Sequence, residues 1–393
     1  MEASSDLERP PHAARSAAPP ANGAAARRPM IFLVSHSSAG GAQQIWSNLA
    51  EGFHERGEDV QLMALYPFRS TVRETPPDLP WTYVVDKRPT TPFAIIGMIR
   101  ALITRLKAAG DVTVFTAMPA ANVLAPVAAK LAGGRARVVI SHHTPVDTYN
   151  PVLNRIDSVA GALSTTTAVV SVSEAVSDSC AAKPAGYRAK RKTIYNALPP
   201  KIETLLKALA DRYAPRVARG RKVVATGRLA PQKNYALLVE AARHMPDVTV
   251  DIAGNGPLEA ELKALARDKG VDDRVHFLGH MPREEAMEVL AAGDVFAQVS
   301  LFEGHSLGLI EAAKLGLPLV VSDVPVQIEG ITARDGTRCG IAVAPDDAEG
   351  LAREIRRLLD DPVHYAEWAG RAKRLGEEAT YSAMLDAYAE LVA

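Results

Sequence analysis

Short apolar runs alternate with stretches of helical periodicity twice along this chain, once on each side of Pro199-Pro200. The first series has apolar runs at 31–35, 60–65, 112–116, 138–141 and 168–172, with helical stretches such as 43–56, 92–109, 121–131 and 174–182 between them. The second series has runs at 223–226, 248–253, 275–278, 295–298, 319–322 and 340–343. Runs this short and apolar suit strands buried on both faces, and helices between them supply the crossovers that parallel strands require. The pattern therefore predicts an α/β protein with two doubly wound, Rossmann-like domains facing each other across a cleft. Expected boundaries are an Ala/Pro-rich disordered leader over 1–29, a first domain over 30–198, a linker with one helix over 199–221, a second domain over 222–375, and a terminal segment over 376–393.

Length and composition permit this and exclude much else. A chain of 393 residues, 47% of them hydrophobic, can bury two cores. Its longest apolar stretch, 93–106, is interrupted by Arg100 and Arg105 and falls short of the ~20 residues of a membrane span. Cys180 and Cys339 are the only cysteines, so there is neither a disulfide framework nor zinc-ligand spacing, and a reducing cytoplasm is the expected setting. Net charge is zero but unevenly divided: residues 1–200 carry 21 Lys+Arg against 15 Asp+Glu, and the remainder 24 against 30. The basic half suits either an anionic partner, such as a membrane surface met by weak peripheral contact, or a chance imbalance of exposed side chains. Neither half is basic enough for nucleic acid.

Glu303 and Glu311 bracket the segment Gly304-His305-Ser306-Leu307-Gly308-Leu309-Ile310, which follows the apolar run 295–299. The run reads as a strand and 307–315 as a helix, so His305, Ser306, Leu307 and Gly308 form the turn between them. Such a turn aims free backbone N–H groups and the positive end of a helix dipole at one point, which suits phosphate. A carboxylate on either side of an anion site suits the hydroxyls of a sugar and a ribose, and the combination points to a nucleotide-diphosphate sugar. Arg228 and Lys233, on the loop after the first strand of the second domain, can neutralise a diphosphate without a metal.

The segment 302–313 resembles the paired-glutamate signature of retaining GT-B glycosyltransferases of family 4, the group 1 glycosyl transferases. Three further motifs are similar to that family: 223–229 with Gln232-Lys233-Asn234, 251–257, and 275–279 with Ala292-Gly293-Asp294-Val295. The resemblance implies a metal-independent, retaining transferase that moves a hexose or N-acetylhexosamine from a nucleotide-diphosphate sugar to an unknown hydroxyl acceptor; a UDP-sugar is the favoured donor, though no residue fixes UDP over GDP. It needs no cofactor beyond the donor, and cell-surface polysaccharide or glycolipid assembly at the inner face of the membrane is the expected setting. It also implies roles: Arg228 and Lys233 on the diphosphate with the Gly40-Gly41 loop and the turn residues His305, Ser306, Leu307 and Gly308; Glu303 on the sugar; Glu311 on the ribose; Leu278, Gly279 and Met281 at the base; and Gly254 in the glycine turn of the donor wall. In the family the terminal helix crosses back onto the first domain.

His143 matches by position the family's histidine at the donor sugar and reaction centre. Adjacent residues of a strand point to opposite faces, so His142 and His143 cannot both face the cleft and a metal pair is not expected. Gly40 and Asp147 fall on the acceptor side; for Asp147 and Asn150 a solvated loop is the competing reading, and the basic stretch 187–192 reads as a solvated turn or an acceptor phosphate patch. Glycosylation of a small soluble acceptor, a sugar-nucleotide epimerase or phosphorylase of the same architecture, and a non-catalytic nucleotide-sugar binder are the alternatives. Gly254-Asn255-Gly256 lacks the third glycine of a dinucleotide fingerprint, which argues against an oxidoreductase.

Overall fold

The computed structural model describes residues 28–38, 40–68, 75–378 and 380–392. Most of the expected leader thus lies outside the described residues, as does Ala39 of the glycine loop.

Seven parallel strands form the first sheet: β1 (Met30–His36), β2 (Val60–Tyr66), β3 (Trp81–Tyr83), β4 (Thr113–Ala117), β5 (Arg137–His142), β6 (Thr166–Ser171) and β7 (Arg191–Thr193), in the order β3-β2-β1-β4-β5-β6-β7. Six more form the second: β8 (Lys222–Thr226), β9 (Thr249–Ala253), β10 (Val275–Gly279), β11 (Val295–Gln298), β12 (Leu319–Ser322) and β13 (Ile341–Val343), in the order β10-β9-β8-β11-β12-β13. Helices cover both faces of each. In β1, Phe32 and Val34 pack with Trp46 and Phe53 on one side, while Ile31 and Leu33 pack with Leu102 and Ala125 on the other. That two-sided burial is why the strands read as unbroken apolar runs. In each sheet the strand order reverses beside its first strand, between β1 and β4 and between β8 and β11. The loops after these strands diverge there and leave a crevice for a ligand.

The helix Pro200–Arg212 packs Ile202, Leu206 and Leu209 into the second domain, so the segment joining the domains belongs to that core. Asp294 then fixes the entry to β8: its carboxylate accepts from the backbone N–H groups of Arg219, Gly220 and Lys222 at 2.8, 3.0 and 2.9 Å. Near the end of the chain, the helix Pro362–Glu378 lies against the helix Leu307–Lys314. A Cβ on Gly376 would stand 2.6 Å from the Lys314 amide nitrogen. The last helix, Tyr381–Ala389, returns to the first domain, where Met384, Leu385 and Tyr388 join the core around Trp46, and the Tyr381 hydroxyl donates to the Asn48 carbonyl.

Two readings of the sequence need correction, and a third needs an addition. The stretch 174–182 is helical only over Glu174–Asp178. The basic stretch 187–192 is not a solvated turn: Tyr187 is fully buried, the Lys190 ammonium donates to the carbonyls of Gly161 and Leu163, and Arg191 opens the edge strand β7. Asn150 is exposed on the loop, as read, but its side chain accepts from Val152 N–H at 2.9 Å and caps a helix, Pro151–Ala162, that periodicity had not revealed.

Candidate functional site

The second-domain wall is built by loops locked together through glycine. Gly227 follows β8 and donates to the Ala253 carbonyl at 3.0 Å, while Leu229 donates to the Asn255 carbonyl at 2.9 Å. Gly254, with φ of +145°, lies so close that a Cβ there would stand 1.9 Å from the Gly227 carbonyl oxygen. Only glycine fits. Gly254 therefore holds two loops in register, a structural duty in addition to any contact with donor. Lys233 ends a short 3-10 turn, Pro231–Lys233, and folds back over Gly227, within 2.6 Å of Glu303 Oε1. A backbone bond from Leu301 N–H to the Gln232 carbonyl, 2.8 Å, brings the two segments into that position. Arg228 is exposed and makes no ion pair among the described residues.

The helix after Glu303 runs over Leu307–Lys314, and no side chain caps its first-turn N–H groups. The Ser306 hydroxyl, which could have capped it, donates instead to Gln298 Oε1 at 2.6 Å. Those N–H groups therefore remain able to bind an anion. A Cβ on Gly308 would meet the Thr226 hydroxyl at 2.6 Å, so the glycine lets the helix N-terminus sit directly over the end of β8. One helical turn on, Glu311 is buried, and its Oε1 accepts from Arg283 Nη2 at 2.5 Å. Burial pushes the Glu311 carboxyl above its ordinary range and the Arg283 charge opposes that rise. Leu278 and Gly279 end β10, and Met281 leads on through Pro282 into Arg283, so the expected base-binding segment and the Glu311 carboxylate are joined through one arginine. The sequence reading missed Arg283, which lies 28 residues from its partner and carries no local signal.

On the first-domain wall, His143 directly follows β5. Its Nε2 lies 3.3 Å from the Ser141 hydroxyl and its ring meets the Trp46 edge, with centroids 5.1 Å apart. Burial holds its pKa down at about 3, so the ring is neutral near pH 7. His142 points the other way, into a buried network. Its Nε2 lies 2.6 Å from the Tyr187 hydroxyl, which donates to Asp157 at 3.0 Å, and Asp157 pairs with Lys183 at 2.7 Å. Strand alternation thus separates the two histidines. Gly40 and Gly41 stand at the start of the helix Gly41–Glu55. A Cβ at Gly40 would collide with Gln43, but one at Gly41 would meet nothing within 4 Å, so no neighbour in the protein demands glycine there.

The two walls touch at His305. Its Nδ1 accepts from Asn196 N–H at 3.1 Å, and its carbonyl accepts from the Asn196 amide at 2.9 Å. Burial lowers its pKa to about 4, consistent with an acceptor nitrogen that carries no proton. Beside it opens an interdomain cavity of about 1230 Å³, lined by Asp147, Tyr195, His305 and Glu329 among others. Leu309, Ile310 and Ala313 line it too, whereas Lys233, Glu303 and Glu311 do not, so it borders a different face of the same helix. Asp147 is exposed on its rim, within the 3-10 turn Val146–Thr148. Among the described residues no three His, Cys, Asp or Glu side chains converge as a metal site would need.

Comparison with known proteins fits this geometry. The family model "Glycosyltransferase Family 4" matches residues 39–201, and the model "Glycosyl transferases group 1" matches residues 214–379. A lipopolysaccharide core biosynthesis glycosyltransferase of Rhizobium meliloti is 33% identical over 44% of this chain and 49% of its own length. An alpha-D-kanosaminyltransferase of Streptomyces kanamyceticus is 32% identical over 36% of each chain. This chain spans about half the length, or less, of these curated relatives. Solved structures align over nearly the whole chain. An Anabaena protein in complex with UDP and glucose superposes with a TM-score of 0.75 at 18% identity, covering 92% of this chain and 98% of that one. Sucrose-phosphate synthase of Thermosynechococcus elongatus gives 0.75 at 19% identity, covering 93% and 98%. At such identities the likeness establishes the fold.

Proposed function

Because the chain belongs to the group 1 glycosyl transferases of family 4 and has the GT-B fold, we propose that it transfers a hexose or N-acetylhexosamine from a nucleotide-diphosphate sugar to a hydroxyl acceptor, with retention and without a metal. The observation that carries this reading is the pair of anchored carboxylates on either side of an uncapped helix N-terminus: Glu303 held by Lys233 at 2.6 Å and Glu311 held by Arg283 at 2.5 Å. Each carboxylate has its remaining oxygen for hydroxyls, and the N–H groups between them suit the diphosphate.

In this reading Lys233, Arg228 and the helix N-terminus take up the charge that builds on the leaving diphosphate. Lys233 also orients Glu303 toward the sugar. Glu311, fixed by Arg283, takes the ribose, with the backbone at Leu278, Gly279 and Met281 beside the base. Gly41 leaves the first-domain wall open to the diphosphate from the opposite side. His143 is neutral, so it acts by hydrogen bonding near the anomeric carbon rather than as a cation. The acceptor hydroxyl attacks on the face from which the diphosphate departs, where a leaving oxygen can receive its proton.

A UDP-sugar is the favoured donor, since the aligned Anabaena protein was solved with UDP and glucose, although a relative in Corynebacterium glutamicum is a GDP-mannose-dependent mannosyltransferase. The relative in lipopolysaccharide core biosynthesis favours assembly of a cell-surface glycan or glycolipid as the setting. Thermal-shift measurements with UDP, GDP and their sugars test the donor. A nucleotide at a hundred times its dissociation constant stabilises the fold by about 2.7 kcal/mol. UDP should raise the midpoint with or without EDTA. No shift with any nucleotide, or one that appears only with added divalent metal, contradicts the reading.

A further inference from the structure

Three neighbouring helices on one face of the first domain, Pro92–Ala109, Pro119–Leu131 and Pro151–Ala162, leave large apolar side chains in solvent. Phe93 is 86% exposed, Val152 64% and Val159 63%, and Ile95, Ile96 and Ile156 are more than 40% exposed. The first of these helices buries only Met98, Leu102 and Leu106 against the core, while residues 91–97 form an unbroken exposed stretch. A patch of this kind on an otherwise well-packed domain marks a contact surface.

Charge identifies the partner. Every exposed charged side chain on the three helices is a cation: Arg100, Arg105, Lys107, Lys130 and Arg155. Their one acidic residue, Asp157, is buried and paired with Lys183. A second copy of this chain docking face to face would set cation against cation. An anionic lipid surface offers the complement to both properties, phosphates for the arginines and lysines and an acyl boundary for the aromatic and branched side chains. Among the described residues no helix is long and apolar enough to cross a membrane, so such contact would be interfacial. The exposed stretch 91–97 and Val152 lie where these helices begin, after β3 and β5, at the edge of the sheet that borders the cleft.

We propose that this face seats the first domain on an anionic bilayer, with the cleft mouth beside the lipid headgroups. An acceptor carried on lipid would then reach His143 and Asp147 without leaving the membrane. That consequence rests on the proposed transferase activity; the docking itself does not.

Co-sedimentation of the full chain with vesicles tests it. Vesicles of phosphatidylcholine with phosphatidylglycerol should bind the protein, pure phosphatidylcholine should bind it at least ten-fold more weakly, and raised salt should release it. The exposed double variant Phe93→Asp/Ile96→Asp should lose at least ten-fold in binding while its melting midpoint and UDP response stay as in the unaltered chain. Three results overturn the proposal: no binding by the full chain, equal binding of the double variant, or a dimer in sedimentation velocity that the double variant converts to monomer. The last would show that a second copy covers the face. Loss of the UDP response in the unaltered chain would instead strike the transferase reading and leave the docking result standing.

Discussion

The carbonyl oxygen of His143 faces Gly304 across the cleft so closely that a Cβ at position 304 would stand 2.1 Å from it. Glycine here lets the first-domain wall touch the segment between Glu303 and the helix at Leu307. Because a Cβ is fixed directly to the chain and the His143 carbonyl is backbone, neither can rotate away.

Gly304→Ala should therefore push the walls apart at the reaction centre. Turnover should fall by roughly 10²-fold, as small displacements of reacting groups do. Binding of free nucleoside diphosphate, most of whose proposed contacts lie on the second-domain wall, should change less than turnover. Calorimetry beside a donor-turnover assay reads both; unchanged turnover would show that this contact does not position the site.

Lys233→Ala and Arg228→Ala should each reduce turnover by about 10²–10³-fold, the usual loss for a preorganised electrostatic group. The structure separates them in stability. Lys233 is largely buried with Glu303, so its removal leaves a carboxylate without its partner and should cost about 1–3 kcal/mol. Arg228 is exposed, and its removal should leave the denaturation midpoint within about 0.5 kcal/mol. Equal stability of the two variants would contradict the pairing.

The fold was legible where burial is uniform along a strand and illegible where it is not. The runs 295–298 and 319–322 and the helix 92–109 match β11, β12 and Pro92–Ala109 residue for residue. The three-residue edge strands β3 and β7 are too short to show any period, and Arg191-Lys192 in β7 looks like solvent-facing sequence. The glutamate pair and Lys233 could be found because one local segment and one loop carry them. Arg283 and Asn196 could not, since they reach Glu311 and His305 only after the sheets assemble. Tyr187 misled because its basic neighbours mask a side chain that the fold buries against His142 and Asp157.

Acid should destabilise the protein earlier than carboxylate titration alone would. His143 and His305 are held neutral, with pKa values near 3 and 4 against an unfolded value near 6.5. The unfolded chain binds more protons in that window, so stability falls as pH drops from about 6.5 towards 4, by up to ~1.4 kcal/mol per pH unit for each ring. Buried Glu311, whose pKa is raised, acts in the opposite sense, so the clean comparison is His305→Gln. Melting midpoints at pH 7 and pH 5 should differ less in that variant than in the unaltered chain; an equal difference would mean that His305 titrates normally.

The division of labour between the two carboxylates is the centre of the account, and calorimetry with UDP and with an intact UDP-sugar tests it directly. Glu311→Ala should weaken UDP at least ten-fold, because a charge-assisted hydrogen bond is worth about 1.5–3 kcal/mol and this one falls on the nucleotide. Glu303→Ala should leave UDP affinity within about two-fold, well inside the effect of one lost bond, while weakening the intact donor or its turnover by ten-fold or more. An equal loss of UDP affinity in both variants, or none in either, would contradict the placement of nucleotide and sugar on the two sides of the helix at Leu307.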